Sequence, residues 1–188
     1  MSDRIILGIT GMPGAGKTTV AKHISSRGIK ALAMGDIIRE KAKEMGYGAG
    51  KEGQKMVVKE LREAGGKDIV AKLTLEKMIG MGLENVIIDG IRSMHEVELF
   101  SSNFKVILLA VHASQARRYE FLSKRGRTDD PHKIEDFRER DKLELELGIG
   151  TVIALSDLMI VNEDISLNEL HARADSLIEK HNIFGSKK

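Results

Sequence analysis

The chain has 188 residues, 41% of them hydrophobic, a size that suits a single α/β domain covering residues 1–188. Its 30 basic and 28 acidic residues leave a net charge of +2, and it has five Phe, two Tyr and no Trp, so its composition argues against nucleic acid or a membrane as partner. It has no cysteine, its apolar runs are strand-sized and no signal-peptide core is recognisable, so we expect a cytoplasmic protein without disulfides.

The first predicted element is a buried strand at Ile5–Thr10, and a glycine-rich segment follows it directly. That segment, Gly11-Met12-Pro13-Gly14-Ala15-Gly16-Lys17-Thr18, matches the phosphate-loop pattern G-x-x-x-x-G-K-[ST], and residues 18–26 have the apolar spacing of a helix. Such a loop turns successive backbone N–H groups onto phosphates at a helix N-terminus. The residues predicted to contact a nucleotide are Gly11, Pro13, Gly14, Ala15, Gly16, Lys17, Thr18 and Thr19. A glycine-rich turn without a ligand is the alternative, and the flanking strand and helix disfavour it.

The second predicted strand, residues 30–34, leads into a charged helix start. There Asp36 and Arg39 are three residues apart and therefore share one helix face, where both are candidates for binding a second substrate. An N-cap at Asp36 and a solvated Arg39 would explain the same spacing. Residues 35–82 have helical patterns and no clear strand, which predicts a helical insertion that binds the acceptor.

The third predicted strand, Asn85–Asp89, ends in a carboxylate. From that position Asp89 can share a Mg²⁺ ion with the hydroxyl of Thr18, while Lys17 reaches the β- and γ-phosphates of ATP. A simple turn at Asp89 and Gly90 is the alternative. Arg92 follows three residues later and, with Arg39, would suit an anionic acceptor through bidentate contacts.

The fourth predicted strand, residues 105–111, is followed by the densest cationic stretch of the chain, at residues 124–131. We predict a mobile lid at residues 124–141, in which Arg127 and Arg138 stabilise the charge of a transferred phosphoryl group. A charge-rich turn without function would have the same spacing.

The fifth predicted strand, residues 157–161, completes an alternation of strands and helices. Strands that are apolar on consecutive residues are covered on both faces, so the pattern predicts a doubly wound parallel sheet of five strands in a three-layer α/β sandwich. Ligands on such sheets bind beyond the carboxyl ends of the strands, where the candidates above lie.

Over nearly its whole length the chain resembles the P-loop nucleoside monophosphate kinases, and especially adenylate-kinase-related archaeal proteins. Gly35-Asp36-Ile37-Ile38-Arg39 is similar to the G-D-x-x-R element whose arginine holds the acceptor phosphate. Arg127-Thr128-Asp129-Asp130, with Arg138 eleven residues after Arg127, is similar to the lid pattern of those kinases. The resemblance implies a P-loop NTPase fold that binds ATP and Mg²⁺.

Two departures from the family pattern concern the acceptor. Asp89-Gly90-Ile91-Arg92 lacks the family's proline and moves its arginine by one place, and Glu96 replaces the glutamine that recognises the base. The chain also resembles dephospho-coenzyme A kinases, which phosphorylate a ribose hydroxyl using an aspartate near the position of Asp36.

The sequence thus predicts an ATP-dependent kinase whose acceptor is a small nucleotide, most simply a nucleoside monophosphate. The predicted catalytic residues are Lys17, Asp36, Arg127 and Arg138; the predicted acceptor residues are Asp36, Arg39, Arg92 and Glu96; the predicted metal ligands are Thr18 and Asp89. Phosphorylation of a hydroxyl, as in dephospho-coenzyme A kinases, and an ATP-binding regulatory protein with weak ATPase activity remain as alternatives.

Overall fold

The computed structural model describes residues 4–47, 50–126, 130–131 and 133–185, in which a parallel sheet lies between two layers of helices. The strands are β1 (Ile5–Thr10), β2 (Lys30–Ala33), β3 (Asn85–Asp89), β4 (Lys105–His112) and β5 (Leu158–Val161). The helices are α1 (Lys17–Ser25), α2 (Met34–Glu44), α3 (Lys51–Gly65), α4 (Ile69–Gly80), α5 (Met94–Ser101), α6 (Gln115–Arg125), α7 (Ile134–Glu146), α8 (Ile149–Ala154) and α9 (Leu167–Lys180).

The sheet has the strand order β2-β3-β1-β4-β5, and every neighbouring pair is parallel. Successive residues of a strand point to opposite faces, which explains the unbroken apolar runs. On β1, Ile6 joins the core cluster beneath α2 to α5, whereas Leu7 joins the cluster beneath α1 and α9. On β3, Ile88 joins the first of these clusters and Ile87 joins the second. The predicted doubly wound five-stranded sheet is confirmed.

The strand ends differ from prediction by one residue at three places, one of which is the end of β4, which continues to His112 where the prediction stopped at residue 111. The second strand stops at Ala33 because Met34 already begins α2. The fifth strand begins at Leu158, after Asp157, whose Oδ2 accepts a hydrogen bond from the Leu108 N–H over 2.7 Å. This hydrogen bond connects the residue before β5 to Leu108 of β4.

The region predicted as a helical insertion consists of α2, α3 and α4, which pack on the β2 and β3 end of the sheet. In the region predicted as a lid, residues 127–129 and 132 lie outside the described residues, and the predicted catalytic residue Arg127 is one of them. No helix in the described ranges has both the length and the apolar character that crossing a bilayer requires.

Candidate active site

The segment between β1 and α1 has the backbone of a phosphate loop, and its glycines are required there. Gly11 has φ +141°, and a Cβ on it would lie 2.1 Å from the backbone oxygen of Val111. Gly14 has φ +84°, and its Cβ would lie 2.7 Å from the backbone oxygen of Arg118. Gly16 precedes α1 with φ +104°. Since side chains disfavour positive φ, this path and these close approaches admit only glycine.

Two side chains from distant parts of the chain hold the loop from outside. The Arg118 guanidinium donates to the Pro13 carbonyl over 3.1 Å and is itself held by Asp141 through hydrogen bonds of 2.7 and 2.6 Å. The Asn162 amide donates to the Ala15 carbonyl over 3.0 Å. The carbonyls of Pro13 and Ala15 are therefore satisfied by distant side chains, and within the loop the Ala15 N–H donates to the Met12 carbonyl over 3.1 Å.

Lys17 begins α1 and turns its ammonium group back across the loop. Its Nζ donates to the backbone oxygens of Gly11 at 2.6 Å and Met12 at 3.1 Å. These two bonds hold the ammonium group against the loop backbone, and the lysine of a phosphate loop is the residue expected to reach the β- and γ-phosphates of a nucleotide.

The electrostatic surroundings of Lys17 show which other charges converge on the site. The pKa of Lys17 is lowered from 10.5 to about 8, mainly by burial. The carboxylates of Asp89 and Glu144 act against this shift, and the charges of Arg92 and Arg140 add to it. These five charged groups come from α1, the end of β3 and α7. A partly neutralised lysine among two further cations is an environment that an anionic ligand would stabilise.

Thr18 and Asp89, predicted as metal ligands, are brought together. The Thr18 hydroxyl donates to Oδ2 of Asp89 over 2.7 Å, although the two residues are 71 positions apart. Asp89 is buried, with 7% of its surface exposed. Adjacent hydroxyl and carboxylate oxygens beside a phosphate loop are the hard donors that Mg²⁺ takes in nucleotide sites, so the residues present fit that ion.

Arg92 leaves the carboxyl end of β3 and pairs with a carboxylate that sequence reasoning missed. Its Nε lies 2.8 Å from Oε2 of Glu144 on α7, and that carboxylate is the largest cause of a raised pKa at Arg92. Glu144 is buried, with 8% of its surface exposed. No motif marks Glu144; the available signal was an acidic residue on the apolar face of a predicted helix, in register with Phe137 and Asp141.

Asp36 and Arg39 form an ion pair in the first turns of α2. They lie at the same edge of the sheet as Asp89, because Ala33, at the end of β2, is the register partner of Asp89 on β3. Both side chains are substantially exposed, at 59% for Asp36 and 39% for Arg39. Asp36 and Arg39, which follow β2, and Arg92, which follows β3, thus lie at the carboxyl ends of two neighbouring strands.

Glu96 has a structural task that the sequence analysis did not foresee. Its Oε2 accepts from the backbone N–H groups of Arg92 at 2.7 Å and Ser93 at 3.3 Å, and the Ser93 hydroxyl caps the Glu96 N–H in return. The carboxylate is buried, which raises its pKa. Because the carboxylate is buried and its Oε2 is held in this cap, we leave Glu96 out of the proposed acceptor site; base recognition by it stays a prediction.

Two arginines of the predicted lid lie on the described part of α7 and differ in burial. Arg138 is exposed on α7, whereas Arg140, two residues later, has a side chain only 20% exposed and lies 3.9 Å from Asp130. Asp130 is buried and is also paired with Arg125 at the end of α6, over 2.9 Å. Arg140 is thus the more buried of the two α7 arginines, and its charge contributes to lowering the pKa of Lys17, while the catalytic role of Arg138 stays a prediction.

Comparisons with known proteins agree with this geometry. The model of the AAA domain family matches residues 7–144. A UPF0200 protein of Thermococcus onnurineus is 44% identical over 181 residues, covering 94% of this chain and 97% of that protein. Among solved structures, TT1252 from Thermus thermophilus has a TM-score of 0.67 at 18% identity, covering 96% of this chain and 98% of that one. Shikimate kinase from Acinetobacter baumannii in complex with shikimate has a TM-score of 0.59 at 14% identity, covering 96% and 95%. The fold is that of P-loop kinases.

Proposed function

The chain belongs to the UPF0200 protein family and to the AAA domain family, and from that premise we propose that it is an ATP-dependent phosphotransferase. Its donor is ATP with Mg²⁺, and its acceptor is a small nucleotide, a nucleoside monophosphate in the first instance. The observation that carries this proposal is the contact between Thr18 and Asp89 at 2.7 Å beside the Lys17 ammonium.

The donor side needs a cradle, a cation and a pair of oxygen ligands. The loop N–H groups and Lys17 would bind the β- and γ-phosphates, and Thr18 with Asp89 would hold Mg²⁺. When bound, Mg²⁺ supplies positive charge at the phosphate oxygens. Phosphoryl transfer is catalysed mainly by positioning and charge stabilisation, so Arg140, close enough to lower the pKa of Lys17, is suited to stabilising the transferred group.

The acceptor side distinguishes a transferase from an ATPase. Arg39 and Arg92 follow β2 and β3, two neighbouring strands, and neither belongs to the phosphate loop. An ATPase needs only water there, whereas an anionic acceptor needs cations that hold it in line with the γ-phosphate. Glu144 fixes the Arg92 guanidinium by pairing with Nε, which orients the remaining N–H groups.

A hydroxyl acceptor is the second candidate, and the exposed carboxylate of Asp36 favours it. A phosphate acceptor is already an anionic nucleophile, but a hydroxyl group must lose a proton during transfer. Asp36 stands at the carboxyl end of β2 with 59% of its side chain exposed, where it could accept that proton. General bases of this kind contribute about two to four orders of magnitude in rate.

A coupled ADP-release screen separates the candidates. The wild-type protein is assayed with Mg²⁺ and ATP alone, with nucleoside monophosphates, and with dephospho-coenzyme A. We expect monophosphates to stimulate ADP release, and Arg39→Ala to raise the acceptor KM while Lys41→Ala, on the same helix, leaves it unchanged. Stimulation by dephospho-coenzyme A alone, abolished in Asp36→Asn, would establish the hydroxyl acceptor. ADP release indifferent to every acceptor would make the chain an ATP-binding regulatory protein.

A further inference from the structure

The strand β5 forms an open edge of the sheet. It is the last strand in the order β2-β3-β1-β4-β5, and among the described strands it pairs only with β4. In a parallel pair, alternate residues of a strand turn their backbone groups to the same neighbour. The Asn162 N–H donates to the His112 carbonyl over 2.7 Å, so Ile160, two residues earlier, also faces β4. Met159 and Val161 therefore turn their N–H and C=O groups away from the sheet.

These outward backbone groups are mostly unpaired. The guanidinium of Arg173 on α9 donates to the Val161 carbonyl over 2.9 Å. The N–H and C=O of Met159 and the N–H of Val161 have no partner among the described residues. Open edges are often protected by a charged residue or a proline within the strand, but β5 reads Leu158-Met159-Ile160-Val161 and has neither. The edge therefore remains able to pair with a further strand.

Apolar surface lies on both faces beside this edge. The side chains of Met159 and Val161 lie on the face opposite to that of buried Ile160, and the two residues are 48% and 43% exposed. On the Ile160 face, a groove of about 480 Å³ runs between β5 and α9, and its α9 wall includes the small residues Ala172 and Ser176. A strand that pairs with β5 would cover the open edge and these exposed side chains together.

The charges along α9 indicate that the partner is a second copy of the chain. The groove residues are centred on Ile160 in β5 and midway between Arg173 and Ser176 in α9. Exposed Glu169 is four residues before Arg173, and exposed Lys180 is four residues after Ser176, so both lie on the same side of the helix. A two-fold axis at this centre reverses both elements. Glu169 of one copy then faces Lys180 of the other, and Arg173 faces Ser176, so no like charges meet.

We propose that two copies of this chain form a dimer in which β5 pairs antiparallel with β5 of the second copy about Ile160. Met159 of each copy lies opposite Val161 of the other, and this pair exchanges both of its N–H···O hydrogen bonds. The Val161 carbonyl has a second lone pair, so Arg173 keeps its contact. The two α9 helices come alongside each other, where Ala172 and Ser176 permit a close approach. The dimer is independent of the proposed phosphotransfer.

The competing explanation is that Arg173 protects the edge of a monomer. In that case the wild type would sediment as a single chain of 20.8 kDa. Arg173→Ala, which uncovers the Val161 carbonyl, would then be the form that associates. In the proposed dimer the wild type associates without any substitution.

Sedimentation equilibrium of the full chain between about 1 and 100 µM measures the dimer dissociation constant. We expect the wild type to have twice the mass of the 20.8 kDa chain. Met159→Lys places a charge beside Val161 of the second copy and should raise the dissociation constant about a hundredfold or more, because the two-fold axis repeats each substitution. The matched control is Met56→Lys, at a methionine of α3 that is 54% exposed, and it should leave the constant unchanged.

Met159→Pro tests the backbone pairing separately from the side chain. The Met159 N–H points away from β4, so proline removes no hydrogen bond from the monomer but removes a donor from the dimer. Circular dichroism checks the fold of each variant, and Met159→Lys carries the test if Met159→Pro does not fold. We expect both folded variants to be monomers. A monomeric wild type would overturn the proposal, as would a dimer that persists unchanged in the Met159 variants.

Discussion

Arg118 on α6 and Asp141 on α7 face each other through two parallel hydrogen bonds of 2.7 and 2.6 Å, and both side chains are buried. The same guanidinium reaches the Pro13 carbonyl and lies 5.0 Å from the ring centre of Phe137. One side chain thus joins the phosphate loop to both helices that border the lid region. The pair has a structural role, and the position of the phosphate loop depends on it because Asp141 holds the guanidinium that donates to Pro13.

Asp141→Ala should lower the free energy of unfolding by about 3–5 kcal/mol, because it leaves the Arg118 charge buried without its partner. The measurement is urea denaturation followed by circular dichroism. Lys142→Ala, next in sequence with a side chain 78% exposed, is the control and should change stability by less than about 0.5 kcal/mol. Equal stability of the two variants would contradict the buried pair.

Lys17→Ala should abolish ATP turnover without unfolding the chain, since Arg118 and Asn162 still hold the loop backbone when the lysine's own bonds to the loop carbonyls are lost. Loss of a cation on the transferred phosphate lowers the rate by about a hundredfold or more. ADP release is measured on protein whose folding has been checked by circular dichroism. Wild-type turnover in the variant would show that the loop is not the ATP site.

Arg140→Ala should reduce kcat by at least about tenfold, and by more than Arg138→Ala does. Arg140 contributes to the field at Lys17, whereas Arg138 is exposed on the same helix. Steady-state kinetics on both variants decide between them. A larger loss in Arg138→Ala would favour the sequence prediction and would mean that α7 turns when substrates bind. The predicted role of Arg127 can be tested alongside.

Binding of ATP near pH 8 should take up a proton at Lys17. The free protein holds this ammonium at a pKa of about 8, so at that pH about half of the molecules lack the proton. Bound phosphates favour the charged form and raise the pKa, so the complex is protonated and affinity falls as pH rises above 8.

Calorimetry in two buffers with different ionisation enthalpies measures this uptake, about half a proton at pH 8. Lys17→Arg is the control, because a guanidinium stays charged throughout and should take up none. Identical proton uptake in wild type and this variant would assign the effect to another group.

Gly11→Ala should destabilise the fold as well as the site, because its Cβ would lie 2.1 Å from the Val111 backbone oxygen at φ +141°. Gly82→Ala provides the comparison: Gly82 has φ +64°, and its Cβ would meet none of the described atoms within 4 Å. The control should lose about 1 kcal/mol from its left-handed backbone, and Gly11→Ala clearly more. Thermal unfolding of both variants measures the two losses of stability. Equal losses would contradict the close contact at Gly11.

The sheet and the donor half of the site could be predicted because their signals are local. Apolar runs mark the strands, and the glycine-rich segment specifies its own backbone path. Asp89 was found because a carboxylate at a strand end has a fixed position relative to the loop. Its contact with Thr18 follows from the pairing of β1 with β3, where Ile9 is the register partner of Asp89.

The rest of the site comes from side chains that meet only after the helices have packed. Arg118 and Asp141 are 23 positions apart, and Arg118 and Pro13 are 105 apart. Glu144 and Arg140 depend on the rotation of α7 about its own axis, which Phe137 sets by packing inward. A family pattern assigns Arg138 by counting along the chain, whereas only the packing of α7 shows that Arg140 is the more buried of the two.

The hydrogen bonds from Arg118 to Pro13 and from Asn162 to Ala15 hold the phosphate loop in the folded protein. The loop therefore loses conformational entropy during folding and not during ligand binding. A loop that must be fixed by its ligand gives up conformational entropy at each binding event, and that loss weakens affinity. Here the loop is immobilised once, when the chain folds. ATP should therefore associate with a small entropy penalty and a rate set by diffusion and charge rather than by loop rearrangement.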